Sequence, residues 1–167
     1  MPVSTAAVKE LRELTGAGML DCKAALEEAG GDMDKAKEIL RAKGHEAAAK
    51  RAERETAQGL VASYLHHDGR LGALVEVNCE SDFVARTDDF TKLVQDIALQ
   101  VAAANPSYLG EDEIPEGAEG RPQDLALLRQ PFVRDESVTI QDMVNEAIGK
   151  TGENIRIRRF ARFELGR

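Results

Sequence analysis

One stretch of the chain decides the fold: residues 59–86 read GLVASYLHHDGRLGALVEVNCESDFVAR. Its first part holds two runs with strand-like apolar patterns, residues 60–67 and 71–78. The turn Asp68-Gly69-Arg70 joins these runs, and an Asp-Gly core is a strong hairpin signal. We therefore predict an antiparallel hairpin. The segment 81–86 should then leave the second strand as an exposed turn that enters a helix.

The chain beyond this hairpin predicts helices and one further strand. The predicted elements are, in order, a long buried helix at 88–104, a surface loop at 107–122, a short helix at 124–128, a helix capped by Ser137 or Thr139 and stopped by Thr151-Gly152, and a strand at 155–165. Apolar spacing and the breaker residues place these boundaries. The prediction is an α+β fold, in which a small three-stranded antiparallel sheet packs with helices.

The first 44 residues predict three short helices that are separated by glycine turns. Ser4 or Thr5 caps a first helix with the apolar stripe Val8, Leu11 and Leu14, and Asp32 caps the third. Because three such helices bury little surface, we interpret residues 1–44 as a docking module. Gly44 is expected to end its last helix. Residues 45–58 then predict an exposed linker helix with solvated charges, and residues 59–167 an α+β core and dimerisation domain.

Both faces of the predicted sheet carry apolar side chains. In the hairpin, Leu60, Ala62 and Tyr64 alternate with Val61 and Leu65. In the last strand, alternation places on one face Ile155, Ile157, Ala161, Phe163 and Leu165, with Phe160 on the other. Helices can cover one face of such a sheet, which would leave the second face apolar and exposed to water. We therefore expect a second copy of the chain to cover it in a homodimer.

Composition restricts the classes of function. The chain has 167 residues, with 22 Lys and Arg against 30 Asp and Glu and a net charge of −8, which disfavours direct nucleic-acid binding. The basic run Arg156, Arg158, Arg159 and Arg162 alternates with apolar residues as a strand does. Membrane-spanning and signal-peptide patterns are not found in the sequence, so we expect a cytoplasmic protein that does not engage membranes.

Catalytic and metal-binding patterns are weak. Gly16-Ala17-Gly18 follows a helix pattern, where a dinucleotide loop would follow a strand, and Cys22 and Cys79 are too far apart for a CxxC pair. His66 and His67 are expected on opposite faces of a strand, unable to share an ion. We predict no catalytic residues, no metal and no cofactor. A general adaptor remains an alternative, as does a small hydrolase using His66 or His67.

The turn after the hairpin admits two interpretations. From local pattern alone, Asp82 caps the following helix and Phe83 is a hydrophobic staple on the core. Alternatively, Ser81, Asp82, Phe83 and Val84 form an exposed binding element. Neighbouring residues alone do not decide between these interpretations.

Three longer signatures bear on that choice. They are VKELRELTGAGMLDCKAAL at 8–26, VNCESDFVAR at 77–86, and GENI at 152–155 leading into RRF at 158–160. In this order and spacing they closely resemble the elongation factor Ts family of bacteria, over nearly the whole chain. Members usually have Thr where this chain has Ser81, a change that keeps the hydroxyl and removes a methyl group.

The resemblance implies a guanine nucleotide exchange factor that binds elongation factor Tu in the elongation phase of translation. It would release GDP by disturbing the magnesium and phosphate site of that partner, with Phe83 inserted, Asp82 forming hydrogen bonds, and Ser81 and Val84 beside them. The N-terminal module would resemble the ubiquitin-associated three-helix fold and dock through Arg12, Met19 and Leu20. The short length matches the compact form of the family, in which a second chain replaces a missing half.

Overall fold

The computed structural model describes residues 3–167, so residues 1 and 2 of the predicted docking module lie outside the described part. Within that part the helices are α1 (Thr5–Thr15), α2 (Met19–Glu28), α3 (Met33–Arg51), α4 (Asp82–Ala85), α5 (Asp88–Ala104), α6 (Pro122–Leu125) and α7 (Ile140–Thr151). The strands are β1 (Gln58–Leu65), β2 (Leu71–Cys79), β3 (Pro131–Phe132), β4 (Asp135–Thr139) and β5 (Ile155–Glu164). The predicted α+β class is confirmed.

The main sheet has the strand order β1-β2-β5, and both pairings are antiparallel. The predicted hairpin forms its first two strands, with Ala62 opposite Val75. Helix α5 packs across one face and begins and ends as predicted. The core on this inner face includes Val75, Val77, Phe90, Ile97, Val101 and Ile155, all buried.

A β-bulge in β5 changes which side chains reach the inner face. Glu76 pairs with Arg159 and Val77 with Ile157, so Arg158 is the extra residue. A bulge shifts the alternation by one position. Phe160 consequently joins the core, whereas Phe163 is exposed on the outer face. The prediction that Ile155 and Ile157 share a face with Ala161 and Phe163 is therefore wrong.

The N-terminal helices enclose a small core of their own, formed by Val8, Leu11, Cys22, Ala25, Leu26 and Ala36. Ser4 caps α1 and Asp32 caps α3, as predicted. Leu14 departs from the predicted apolar stripe, since 59% of its surface is exposed. It lies in the last turn of α1 and lines an open cleft there.

Helix α3 continues through Gly44 to Arg51, so the helix end predicted at Gly44 is wrong. Gly44 is buried where α3 crosses α7, and a Cβ placed on it would lie 3.4 Å from the carbonyl oxygen of Asn145. The close approach of the two helices therefore leaves no room at this position for a side chain much larger than a methyl group. The predicted linker at 45–58 becomes the last turns of α3 followed by residues 52–57. It is also not simply solvated, because Ala48 packs against the main core.

The region between α5 and α7 contains a small hairpin that the sequence analysis missed. Strands β3 and β4 are antiparallel, and their pairing register shifts between Pro131 and Phe132. The buried side chain of Gln100 connects this hairpin to α5. Its amide nitrogen donates to the carbonyl of Pro131 at 3.1 Å, and its amide oxygen accepts from the N–H of Val133 at 2.9 Å. Thr139 then caps α7, as predicted, in a capping box with Asp142.

None of the helices in residues 3–167 combines the length and the apolar content that a membrane crossing requires.

Candidate partner-binding site

The segment Ser81–Val84 lies where β2 leaves the sheet and the chain forms the single turn of α4. Ser81 is the N-cap, and its hydroxyl oxygen accepts a hydrogen bond from the N–H of Val84 at 3.4 Å. Asp82 is the first helical residue and not the cap, so its predicted capping role is wrong. Serine supplies here the short side-chain oxygen that an N-cap requires.

Phe83 is 81% exposed, although its neighbours pack inward. Val84 contacts the main core and Ala85 is buried in it. Because successive residues of a helix point about 100° apart, a turn anchored through 84 and 85 directs residue 83 toward solvent. The alternative interpretation of Phe83 as a staple on the core is therefore wrong.

Asp82 is paired within the segment with Arg86, one helical turn later. The two charged groups are 3.1 Å apart and about half or more of each side chain is exposed. An exposed ion pair of this kind contributes little to stability and can exchange partners readily. The carboxylate of Asp82 is thus accessible to an incoming binding partner.

Glu153, in the turn between α7 and β5, fixes the start of the segment. One carboxylate oxygen accepts from the backbone N–H groups of Glu80 and Ser81, at 3.1 and 3.0 Å. The other accepts from the hydroxyl of Ser81. Carboxylates that accept several hydrogen bonds form some of the stronger polar contacts in proteins. The orientation of the turn is therefore set by a residue 72 positions away in the chain.

We call Arg54, Glu80, Glu153 and Asn154 the polar junction. A carboxylate oxygen of Glu80 accepts from the N–H of Asn154 at 2.6 Å and lies 3.5 Å from the guanidinium of Arg54. The side-chain amide of Asn154, which is buried, donates to the carbonyl of Arg54 at 2.8 Å. The junction thus joins the chain just after α3 to the start of the Ser81–Val84 segment.

Cys79 lies beneath the same turn, and its thiol donates to the carbonyl of Ser81 at 3.2 Å. Burial, assisted by the negative charge of Glu153, raises the pKa of the Cys79 thiol to about 11. The thiol therefore stays protonated near neutral pH and is a poor nucleophile. Cys22 is buried as well.

The predicted docking residues lie on the surface of the N-terminal helices. Arg12 is exposed in the last turn of α1, and Met19 and Leu20 open α2 with 40% and 82% of their surfaces exposed. Helix α3 connects these N-terminal helices to the part of the fold that contains Ser81–Val84. That helix has 19 residues, so it extends for about 28 Å. The structure therefore presents two surfaces at different places on one framework.

The outer face of the sheet is exposed and apolar at one end. It displays Val61, Leu65, Leu74 and Phe163, which are 67%, 71%, 49% and 74% exposed. Leu65 and Phe163 flank Gly72 in adjacent strands, so the three strands contribute to one continuous surface. The predicted exposure of the second sheet face is confirmed. Apolar patches of this kind mark interaction sites.

The two adjacent histidines occupy the end of the hairpin. His66 follows the last residue of β1, and its ring lies 4.3 Å from the ring of His67, so the expectation of opposite faces is wrong. The hydroxyl of Tyr64 is 3.0 Å from Nδ1 of His66. Across residues 3–167, we find no cluster of three His, Cys, Asp or Glu side chains that could share a metal ion.

Comparisons with known proteins point to one family. The family model described as "Elongation factor TS" matches residues 24–121. Proteins named "Elongation factor Ts" are similar to the chain: that of Carboxydothermus hydrogenoformans is 47% identical, that of a Thermoanaerobacter species 49%, and that of Moorella thermoacetica 47%. Each alignment covers 98% of this chain and, in the same order, 89%, 95% and 96% of the relative.

Proposed function

Because this chain belongs to the elongation factor Ts family, we propose that it is a guanine nucleotide exchange factor in the elongation phase of translation. It binds elongation factor Tu and promotes the release of GDP from that partner. It acts through binding to the partner alone, and it uses no catalytic residue, metal or cofactor of its own. The observation that carries this proposal is the exposure of Phe83, an aromatic side chain on a turn that hydrogen bonds to Glu153 hold in place.

We call residues 81–84 the wedge segment. In this proposal Phe83 inserts between side chains of elongation factor Tu near its magnesium and phosphate site, and Asp82 exchanges Arg86 for hydrogen bonds with the partner. Mg²⁺ requires nearly ideal octahedral geometry, so a small displacement of its supporting elements weakens the binding of both the ion and GDP. The wedge segment can therefore act without touching the nucleotide.

The free energies involved require more than one contact surface. Burying a phenylalanine side chain contributes roughly 1.5–3 kcal/mol. Weakening GDP binding a thousandfold needs about 4 kcal/mol of coupling free energy between the two binding events. Phe83 alone is therefore insufficient, and a second surface must contribute.

We assign that second surface to Arg12, Met19 and Leu20. Residues 1–44 would act as a docking module of the ubiquitin-associated type, residues 59–167 as the α+β core and dimerisation domain, and residues 45–58 as the connection. Exposed methionine and arginine side chains, here those of Met19 and Arg12, are enriched at protein-binding surfaces, and the exposed Leu20 adds apolar area. Docking there would hold the wedge segment against the partner while GDP leaves.

Coupling between two ligands is reciprocal. If this protein weakens the binding of GDP to elongation factor Tu, then GDP or GTP must weaken the binding of this protein by the same factor. Rebinding of a nucleotide would thus displace the exchange factor and complete the cycle. The exchange factor is released unchanged.

We further propose a homodimer formed through the outer sheet face, in the cytoplasm where translation takes place. The exposed side chains of Val61, Leu65, Leu74 and Phe163 support the dimer, because pairing would remove them from water. The net charge of −8 argues against direct binding of nucleic acid.

The proposed activity is tested by mixing the protein with elongation factor Tu that carries fluorescent GDP, in the presence of excess unlabelled GDP. We expect micromolar protein to accelerate the loss of fluorescence far above the spontaneous rate. Binding without acceleration would favour the adaptor alternative and contradict exchange. The spontaneous rate, measured with buffer alone and with Mg²⁺ held constant, is the control.

A further inference from the structure

We propose that Glu153 is a positioning residue for exchange: it holds the wedge segment at the orientation in which Phe83 meets the partner. This inference rests on the proposed function and extends it to a residue outside the contact surface. Its basis is the set of three hydrogen bonds from Glu80 and Ser81 that one carboxylate accepts. Glu153 touches neither reacting atoms nor, in this proposal, elongation factor Tu.

The wedge segment depends on outside contacts for its orientation. Helix α4 has four residues, and an isolated helix of that length is not stable in water. Val84 and Ala85 hold its inner side against the core, whereas Glu153 holds the residues that lead into it. The inner contacts fix the depth of the turn and the carboxylate fixes its angle. Removing the carboxylate should therefore tilt Phe83 without unfolding the core.

The position of Glu153 is itself set by the end of α7. Gly152 ends that helix with φ +73°, a left-handed conformation that suits glycine, and this directs Glu153 toward the turn after β2. The carbonyl of Gly152 accepts from the Nε–H of Arg51 at 2.9 Å, at the last residue of α3. The same short turn therefore contacts both the wedge segment and α3.

The polar junction extends this connection to the docking module. Asn154 bonds to the carbonyl of Arg54 with its side chain and to Glu80 with its backbone N–H. Helix α3 starts among the N-terminal helices and ends at this junction. When the docking module is fixed on a partner, α3 and the junction then fix the angle of Phe83. The requirement for two cooperating surfaces thus has a physical link.

Glu153→Gln is the sharpest test, because it keeps the size of the side chain. The amide oxygen can keep the two backbone N–H bonds only if its NH₂ group faces Ser81, whose hydroxyl must then accept instead of donating, and the negative charge that strengthens all three hydrogen bonds is lost. We expect the rate of GDP release at saturating protein to fall about tenfold, with less change in the concentration that gives half of the maximal rate. Glu146→Gln, on the exposed side of α7, is the matched control and should leave the rate unchanged.

A double-mutant cycle separates positioning from a general structural role. If Glu153 acts through Phe83, then Glu153→Gln should have little further effect on release in the Phe83→Ala background. Hydrogen exchange of the Glu80 and Ser81 amides, measured without any partner, should accelerate in Glu153→Gln. An equal loss of rate in both backgrounds would overturn the proposal, as would an unchanged rate in the single variant.

Failure of this inference can be told apart from failure of the proposed function. If the unaltered protein does not accelerate GDP release, the exchange function is wrong and the positioning role falls with it. If the unaltered protein is active and Glu153→Gln matches it, the positioning role alone is wrong. Should Glu153→Gln fail to fold, Ser81→Ala removes one of the three donors and should show the same non-additivity with Phe83→Ala; additive losses would overturn the proposal.

Discussion

His45 in α3 lies 2.9 Å from Asp142 in α7, measured from Nε2 to Oδ1. The contact joins α3, which begins among the N-terminal helices, to the α+β core. On its second ring nitrogen, His45 is 2.9 Å from the side-chain amide of Asn145. Burial would raise the pKa of Asp142, but hydrogen bonds from the Thr139 backbone and from His45 lower it below its ordinary value.

Asp142→Asn should therefore destabilise the protein near neutral pH. A carboxyl whose pKa is lower in the folded state stabilises that state above its unfolded pKa, and the benefit is lost as the pH falls through the folded pKa. We expect a loss of about 1 kcal/mol in the free energy of unfolding at pH 7, which shrinks below pH ~4. Urea unfolding at several pH values measures this difference. A gap that widened in acid would contradict the assignment.

Asp124→Asn is the matched control for that measurement. Asp124 also has a lowered pKa, caused by its hydrogen bonds with Arg121, but the pair lies at the surface. Exposed ion pairs contribute little to stability. We expect its replacement to leave the unfolding curves at pH 7 almost unchanged.

Substitutions at Gly44 test the crossing of α3 and α7. The predicted Cβ of Gly44→Ala makes an ordinary contact with Asn145, so the gain in helix propensity should raise stability by about 0.5–1 kcal/mol. Gly44→Leu should instead separate the helices and cost roughly 1–3 kcal/mol. In thermal unfolding, the midpoint temperature should rise for Gly44→Ala and fall for Gly44→Leu. Ala42→Leu, at an exposed position of the same helix, should change little.

Phe163→Glu should convert the proposed homodimer into single chains. A carboxylate at the centre of an apolar interface would have to be buried without a partner, which is strongly unfavourable. Light scattering should give about twice the chain mass of 18.2 kDa for the unaltered protein and the single-chain mass for the variant. Leu20→Glu, at an exposed leucine far from the sheet, should remain dimeric. A monomeric unaltered protein at high concentration would refute the dimer.

Leu20→Ala should weaken docking more than it slows the exchange step. Loss of most of a buried leucine side chain would raise the concentration for half-maximal GDP release by roughly tenfold. The maximal rate should fall less than in Phe83→Ala, because the wedge segment is intact and the docking surface supplies only part of the coupling free energy. Leu14→Ala is the control. Leu14 is also an exposed leucine, but it faces the cleft between α1 and β4 and is not part of the proposed docking surface. A fall in the maximal rate alone would contradict the assigned role.

Local signals in the sequence predicted most of the elements. The Asp-Gly turn, the caps at Ser4, Asp32 and Thr139, and the apolar period of α5 each act over a few residues. Physical effects of that range can be recognised without knowing the fold. For this reason the hairpin, the three N-terminal helices and the long helix agree with the structure.

The errors arose where distant parts of the chain determine local conformation. Gly44 stays helical because α7 packs against it, and Arg158 forms a bulge because β5 must match β2. His66 and His67 approach each other because β1 ends at Leu65, whereas the predicted strand extended to residue 67. Tertiary contacts of this kind override propensity and leave no periodic signal.

The candidate site was recognised only in part. The local pattern left open whether Phe83 packs on the core or is exposed, and only the resemblance to the family favoured exposure. The hydrogen bonds from Glu153 that hold its turn were not predicted. Glu153 stands in the GENI signature, which suggested the family but gave no role to the acid. The polar junction unites three segments of the chain, of which the first, at Arg54, and the last, at Asn154, are 100 residues apart. Sequence spacing does not reveal that such distant segments meet.

The central claim is that Phe83 drives the loss of GDP from elongation factor Tu. Its most direct test is the rate of fluorescent GDP release at saturating concentrations of the unaltered protein and of Phe83→Ala, with Val133→Ala as an exposed apolar control. We predict that Phe83→Ala folds normally and still binds elongation factor Tu, but that the rate of GDP release from that partner falls by more than about tenfold. A release rate for Phe83→Ala equal to that of the unaltered protein would contradict the account.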